Sequence, residues 1–243
     1  MGDEAAAALN SKIATARELL AAASARFQRV TYANSLALEA IVLTDLIAAD
    51  APEIDIFTID TGRLNEETYD LLERLRRRYA NRIRVVYPDR EALERLVRRQ
   101  GINGFYESLE GRLECCRVRK VEPFKRAISG FSAWMTGIRR SHSVQRATGE
   151  AIEWDATYGL YKVSPLLEWS DEDIWAYVRA RGLPYNPLHD QGYPSIGCAP
   201  CTRAVRAGED FRAGRWWWER PGPRECGLIR NPLVAIPLGA TSL

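Results

Sequence analysis

Strand-like runs recur along this chain at the spacing of strand–helix units, and that alternation limits the fold more than any other feature. The runs are RFQRVTYAN (26–34), EIDIFTID (53–60), RIRVVYPD (82–89), FSAWMTGIRR (131–140) and LYKVSPLLEW (160–169). The first leads into SLALEAIVLTDLIAAD and the second into TGRLNEETYDLLERLRRRYA, both of which read as helices. Strands that alternate with helices predict an α/β fold: a mostly parallel sheet with helices on both faces. Such a sheet binds ligands beyond the carboxyl ends of its strands, where the strand order reverses.

Two further helices are expected at the flanks. Leu9, Ile13, Ala16, Leu19 and Leu20 have helical spacing, which marks residues 1–25 as an N-terminal helical segment. In WSDEDIWAYVRARG, Ser170 is the expected N-cap, Asp173 its partner three residues on, and Gly182 the stop. LPYNPLHDQGYPSIGCAPC, rich in Pro and Gly, reads as an irregular loop. The organisation is therefore 1–25, an α/β domain over 26–215, and a tail over 216–243.

Composition narrows the setting. A chain of 243 residues, 46% hydrophobic and 27% charged, can bury a core without staples. Its net charge of +2 argues against wholesale nucleic-acid binding, although Arg residues cluster locally. The start, MGDEAAAALNSKIATARELL, lacks the basic and apolar regions of a secretory signal, and Ala6 is not the Ser or Thr of a myristoylation site. No apolar run is long enough to span a bilayer, so a cytoplasmic protein is expected. Five cysteines in that compartment read as metal or catalytic thiols rather than as disulfides.

Four of those thiols come as Cys115-Cys116 and Cys198-Ala199-Pro200-Cys201. They could hold a [4Fe–4S] cube, one thiolate per iron. Neighbouring side chains diverge by ~100° on a helix, which suits the corners of a cube better than one ion. Tetrahedral zinc is the alternative, although its usual pattern is two separated CxxC-like pairs; unrelated buried cysteines are the third reading. The fifth thiol, Cys226, lies in a Gly-, Pro- and Arg-rich tail and is a nucleophile candidate if cations lower its pKa. Cations stand at expected strand ends and near the cysteines: Arg139, Arg140 and Arg146 in TGIRRSHSVQR, and Arg212 and Arg215 three apart. Guanidinium groups match phosphate and sulfate oxygens two at a time. Ser35 sits in the first strand–helix turn, which is neither GxGxxG nor a Walker loop. Trp216–Trp218 could stack on a base or simply pack the tail down.

The chain resembles the assimilatory phosphosulfate reductases, in particular their iron–sulfur, adenylyl-sulfate branch. FTIDTGRLNEETYDLL, ECCRVRKVEPF, WMTGIRRSHSVQR, YKVSPLLEWSDEDIWAYV, LPYNPLHDQGYPSIGCAPCTRAVRAGEDFRAGRWWWE and RECGLI carry the resemblance, in the family's order. It implies an adenine-nucleotide α-hydrolase-like fold, a [4Fe–4S] cluster on Cys115, Cys116, Cys198 and Cys201, and Cys226 as nucleophile on a mobile tail. It also implies substrate contacts from Ser35, Lys120, Arg139, Arg146, Arg212 and Arg215. The implied reaction converts adenosine 5′-phosphosulfate (APS) to sulfite and AMP; the alternatives are the same reaction on its 3′-phosphorylated form PAPS, or a non-catalytic iron–sulfur regulatory relative. Thioredoxin or glutaredoxin would be the reductant; no nucleic acid and no membrane take part, and homo-oligomer formation is left open. The chain departs from the family pattern at Ala37, where Gly is usual, at His142 in place of Gln, and at Ile229 in place of His.

Overall fold

A computed structural model describes residues 3–142 and 149–219 of the chain. One six-stranded sheet runs through it, built from β1 (Val30–Asn34), β2 (Asp55–Ile59), β3 (Ile83–Val86), β4 (Ala133–Met135), β5 (Ile152–Asp155) and β6 (Leu160–Val163). The strand order is β3-β2-β1-β4-β6-β5. All pairings are parallel except that of β5 with β6. β5 was not anticipated: IEWD alternates apolar and charged residues but over four positions only, too short a run to stand out, and it leaves Trp154 exposed at the sheet edge.

Seven α-helices pack around the sheet in the described residues: α1 (Asp3–Arg26), α2 (Leu38–Asp50), α3 (Glu66–Arg78), α4 (Arg90–Gln100), α5 (Leu109–Cys116), α6 (Glu122–Ile128) and α7 (Asp171–Ala180). Successive strand residues point to opposite faces, and both faces are covered. Tyr32, Ile56, Ala133, Met135 and Val163 join Leu20, Ile41, Leu46 and Ile174 of α1, α2 and α7 in the larger core. Their neighbours Phe57 and Trp134 turn the other way and pack with Phe124, Ala127 and Ile128 of α6. The expected mostly parallel sheet with helices on both faces is thus the fold observed. α7 starts with the expected capping box, in which Ser170 Oγ accepts from Asp173 N–H and Asp173 accepts from Ser170 N–H.

Helix α2 is the central pillar. Every residue from Leu38 to Ile47 is buried, as expected of a helix apolar nearly all round and enclosed on all sides. Two carboxylates, Glu39 and Asp45, interrupt it. Asp45 accepts hydrogen bonds from Tyr79 Oη and Tyr177 Oη, each at 2.9 Å, and from Arg181 Nε at 3.1 Å. This ties α2 to the end of α3 and to α7. Removing a buried charge's partner strands the rest of the set. We expect Asp45→Ala to lower the urea unfolding free energy by ~3–5 kcal/mol, against ~1 kcal/mol for Tyr79→Phe.

Candidate active site

β1 feeds β2 on one side, while β4 lies on the other, so the order reverses between β1 and β4. A cleft opens there, as the strand order dictates. Its floor is Asn34–Ala37 after β1, Thr58, Ile59 and Thr61 of the β2 end, and Thr136–Ile138 after β4. Pro194–Cys198, Phe211, Arg212 and Arg215 form the opposite wall, with Lys120 and Phe124 beside them.

The turn after β1 is held open by local hydrogen bonding. Asn34 Oδ1 accepts from Leu36 N–H at 2.7 Å, and Asn34 Nδ2 donates to Thr44 Oγ1 at 2.8 Å. Leu36 pays for this with a left-handed φ of 61°. Ala37, where the family has Gly, has a φ of −82°, open to any residue, so its extra methyl strains no backbone here. Ala37 is also the N-cap of α2 and has no side-chain cap, which leaves the first N–H groups of that helix facing the turn. Gly137 lets the loop after β4 come close, since a Cβ there would lie 2.9 Å from Glu39 Cβ.

Beyond the cleft lies a pocket lined by all four paired cysteines. Its remaining lining comes from Thr61, Arg63, Phe105, Arg112, Arg119, Lys120, Pro200, Arg215 and Trp216. Cys115 and Cys116 end α5, and the chain runs on through a π-helical turn (Arg117–Val121) into α6. Pro123 explains the turn: it has no N–H to give, and its ring would crowd a regular α-helical carbonyl four residues back. Arg112, Cys115, Cys116, Arg119 and Lys120 are spaced i, i+3, i+4, i+7 and i+8, which puts them on one side of this helical run. Cys198 and Cys201 bracket a 3₁₀ turn pinned on both sides. Ala199 N donates to Arg63 O at 2.8 Å, and Trp216 N to Cys201 O at 3.2 Å.

Electrostatics favour a bound group in this pocket. Burial pushes the Cys201 thiol up to about 12, and the nearby Cys198, Cys116 and Cys115 push the same way. Burial also raises Cys115, against the pull of Arg119. At Cys201 and Cys115 burial thus disfavours the thiolate, and a nearby positive centre such as a metal would offset it. Seven buried side-chain donor or acceptor atoms lack a hydrogen-bond partner among the described residues, and four of them belong to this lining: Arg112 Nη1, Arg119 Nε, Arg215 Nε and Trp216 Nε1. An unpaired buried donor costs ~1–3 kcal/mol, so such a concentration suits a group rich in acceptors. No three His, Cys, Asp or Glu side chains among the described residues converge on a single ion position; the thiols line walls instead.

Residues 29–204 match the phosphoadenosine phosphosulfate reductase domain family. The chain belongs to this family. It is 52% identical over 223 residues to adenosine 5′-phosphosulfate reductase of Allochromatium vinosum, covering 92% of this chain and 87% of that one. Against the enzyme of the same name from Burkholderia cepacia the identity is 47%, covering 96% and 93%. Among solved structures, PAPS reductase from Candida auris in a phosphate complex superposes with a TM-score of 0.68 at 28% identity, covering 84% of this chain and 98% of that one. An NH3-dependent NAD synthetase from Campylobacter jejuni, 12% identical with a TM-score of 0.53 over 76% of this chain and 78% of that one, shares the fold. The described residues of this phosphosulfate reductase family member contain no helix long and apolar enough to cross a membrane.

The structure gathers Ser35, Lys120, Arg212 and Arg215 around the one cleft. Arg139 is elsewhere. It is 1% exposed, its Nε donates to Glu39 at 2.9 Å, and its other nitrogens reach Asp171, Trp169 O and Ser141. It is not among the residues lining the cleft, and it braces the start of α2 against α7. Arg146, Cys226 and Ile229 lie outside the described residues. The tryptophans do not line the cleft: Trp216 packs on Cys201 and Phe105, and Trp218 stands edge-on to Tyr106. Phe57, Phe124 and Phe211 supply the cleft's aromatic surface instead. Sequence reasoning missed Arg112, whose i, i+3 spacing to Cys115 was the available signal. It also missed Thr61, whose Oγ1 lies 3.2 Å from Cys198 Sγ and which only the fold brings there.

Arg215 lies across Gly197, where any Cβ would collide with the guanidinium. We expect Gly197→Ala to displace Arg215 and weaken binding of inorganic phosphate ~10-fold or more by calorimetry, since a charged hydrogen bond contributes ~1.5–3 kcal/mol. The far-UV spectrum should be unchanged.

Proposed function

We propose that this protein reduces APS to sulfite and AMP, with Cys226 as nucleophile and a thioredoxin-type dithiol as reductant. One observation carries the reading. Thr61, Lys120, Cys198 and Arg215 line both the cleft and the four-thiol pocket, so they form a common wall. Two of these four are cations, placed where a cleft ligand comes nearest the thiols. That arrangement suits a small ligand with a nucleoside end and a doubly anionic end. The names borne by relatives about half identical to this chain support APS as that ligand.

In the proposed reaction the Cys226 thiolate attacks the sulfur of the sulfonyl group. The S–O bond to the phosphate breaks, and AMP leaves with the bonding electrons. The enzyme is left as a cysteine S-sulfonate. One thiol of the reductant attacks the Cys226 sulfur, sulfite departs, and the second thiol closes the disulfide and restores Cys226. The two electrons come from the dithiol. Lys120, Arg212 and Arg215 offset the repulsion between an incoming thiolate and an anionic ester, and stabilise charge moving onto the departing phosphate. Ser35 and the uncapped start of α2 offer donors to the nucleotide. Arg146 is proposed as a further substrate contact.

Cys115, Cys116, Cys198 and Cys201 would hold a [4Fe–4S] cluster, for which the acceptor-hungry lining of the pocket is the supporting observation. When bound, the cube would supply a fixed electrostatic centre next to Lys120 and Arg215.

Cys226→Ser tests the assignment. Purified without oxygen, it should keep its brown colour and bind AMP with unchanged affinity, yet show no mass shift for a sulfonate adduct when given APS. Sulfite release by this variant at the normal rate would overturn the reading. Parallel assays should show higher kcat/KM for APS than for PAPS.

A further inference from the structure

Arg112 and Glu219 form one of the most buried ion pairs in the described structure. Arg112 Nε donates to Glu219 Oε1 at 2.7 Å and Nη2 to Oε2 at 2.9 Å, with the arginine side chain 3% exposed and the carboxylate 16%. The guanidinium also lies 4.6 Å from the centre of the Trp216 ring. Such a two-pronged, stacked arginine fixes its partner's orientation as well as its charge. The two residues come from distant parts of the chain. Arg112 stands one turn before Cys115 on the helix that carries the thiol pair, and Glu219 stands seven residues before Cys226.

We propose that Arg112 and Glu219 are positioning residues that fix the root of the Cys226 segment to the thiol-bearing helix. The inference rests on the reading of Cys226 as nucleophile. Trp216 and Trp218 reinforce the attachment by packing on Phe105 and Tyr106. Neither Arg112 nor Glu219 lines the substrate cleft. Arg112 does line the thiol pocket. Its remaining nitrogen, Nη1, is buried without a hydrogen-bond partner, and its charge interacts with Cys116. One guanidinium thus holds the root through two nitrogens while facing Cys116 of the pocket. The function of the pair is geometric: seven residues of chain span at most ~25 Å, so the place where the segment starts limits where its thiol can arrive.

The test uses the full chain, purified without oxygen, in two variants, Glu219→Ala and Glu219→Asp. Formation of the S-sulfonate on Cys226 is followed by intact mass in a single turnover with saturating APS. AMP affinity, visible absorbance per chain and the rate of tryptic cleavage after Arg224 are measured alongside. We expect Glu219→Ala to slow S-sulfonate formation ~10–100-fold, the scale of one charged hydrogen-bonded contact. AMP affinity and absorbance should stay within twofold, cleavage after Arg224 should accelerate, and Glu219→Asp should recover much of the rate. An unchanged single-turnover rate in Glu219→Ala would overturn the proposal. So would a slowed rate accompanied by loss of absorbance or AMP binding, which would make the pair a prop for the pocket alone. Cys226→Ser, run in parallel, separates the two readings: an adduct forming there would sink the nucleophile assignment, whereas an unaffected Glu219→Ala would sink only the positioning role.

Discussion

Two like charges held 4 Å apart repel by about 4 kcal/mol at the effective dielectric of a protein surface. The proposed site has to hold several. Four sulfurs share one pocket, a doubly anionic ester lies beside it, and a fifth sulfur attacks as an anion. The architecture meets this by making one wall serve both chambers. Lys120 and Arg215 belong to the cleft and to the thiol pocket at once, so each cation makes the potential more positive, and kinder to anions, on both sides. Lys120 occupies that position because α5 runs into α6 through a π-helical turn, and Arg215 because its residue bridges Thr202 beside the CxxC turn.

Other cations in the molecule are committed to structure, and the distinction is visible in their partners. Arg139 is saturated by Glu39, Asp171 and a carbonyl, and Arg203 by Glu209 and a carbonyl. Their paired guanidiniums have little hydrogen-bonding capacity left to offer a ligand. The guanidiniums around the thiols are different in kind. Arg112, Arg119 and Arg215 each retain a buried nitrogen without a partner. Three such nitrogens gathered in one lining suit a bound group rich in acceptors.

The fold was legible because α/β periodicity is local. Alternating strands and helices announce themselves within windows of ten residues or so, and β1, β2, β3, β4 and β6 each fall inside an expected run. What escaped did so for physical reasons. β5 is an edge strand of four residues, too short for its alternation to stand out, and α4 to α6 are short helices in Arg-rich sequence. Pro123 and the adjacent cysteines look like helix-breaking features, yet the π turn absorbs the proline and keeps the helix running. For the site, the cysteine pairs and the cations Lys120, Arg212 and Arg215 could be named from sequence, because residue type and spacing carry their chemistry. Arg139 could not be assigned that way. Its position after β4 reads as ligand-facing, and only packing reveals that Glu39 and Asp171 claim it. Glu219 was invisible for the same reason, since its partner stands 107 residues away.

A nucleophile on a separate segment has a chemical logic of its own in the proposed reaction. The sulfur of Cys226 must meet two different molecules in turn: a nucleotide ester shielded inside a cleft, and then a protein dithiol that needs open access to the same sulfur. A thiol fixed in the cleft wall would satisfy the first and hinder the second. A thiol on a short chain rooted beside the cleft satisfies both, provided the root is firm and the reach is limited. The Arg112–Glu219 pair with its stacked Trp216 makes the root firm, and seven residues set the reach. Ile229 follows three residues after the thiol in place of the family's His. It removes a titratable group from that segment, so in the proposed reaction the cations of the common wall would be left to stabilise the attacking thiolate.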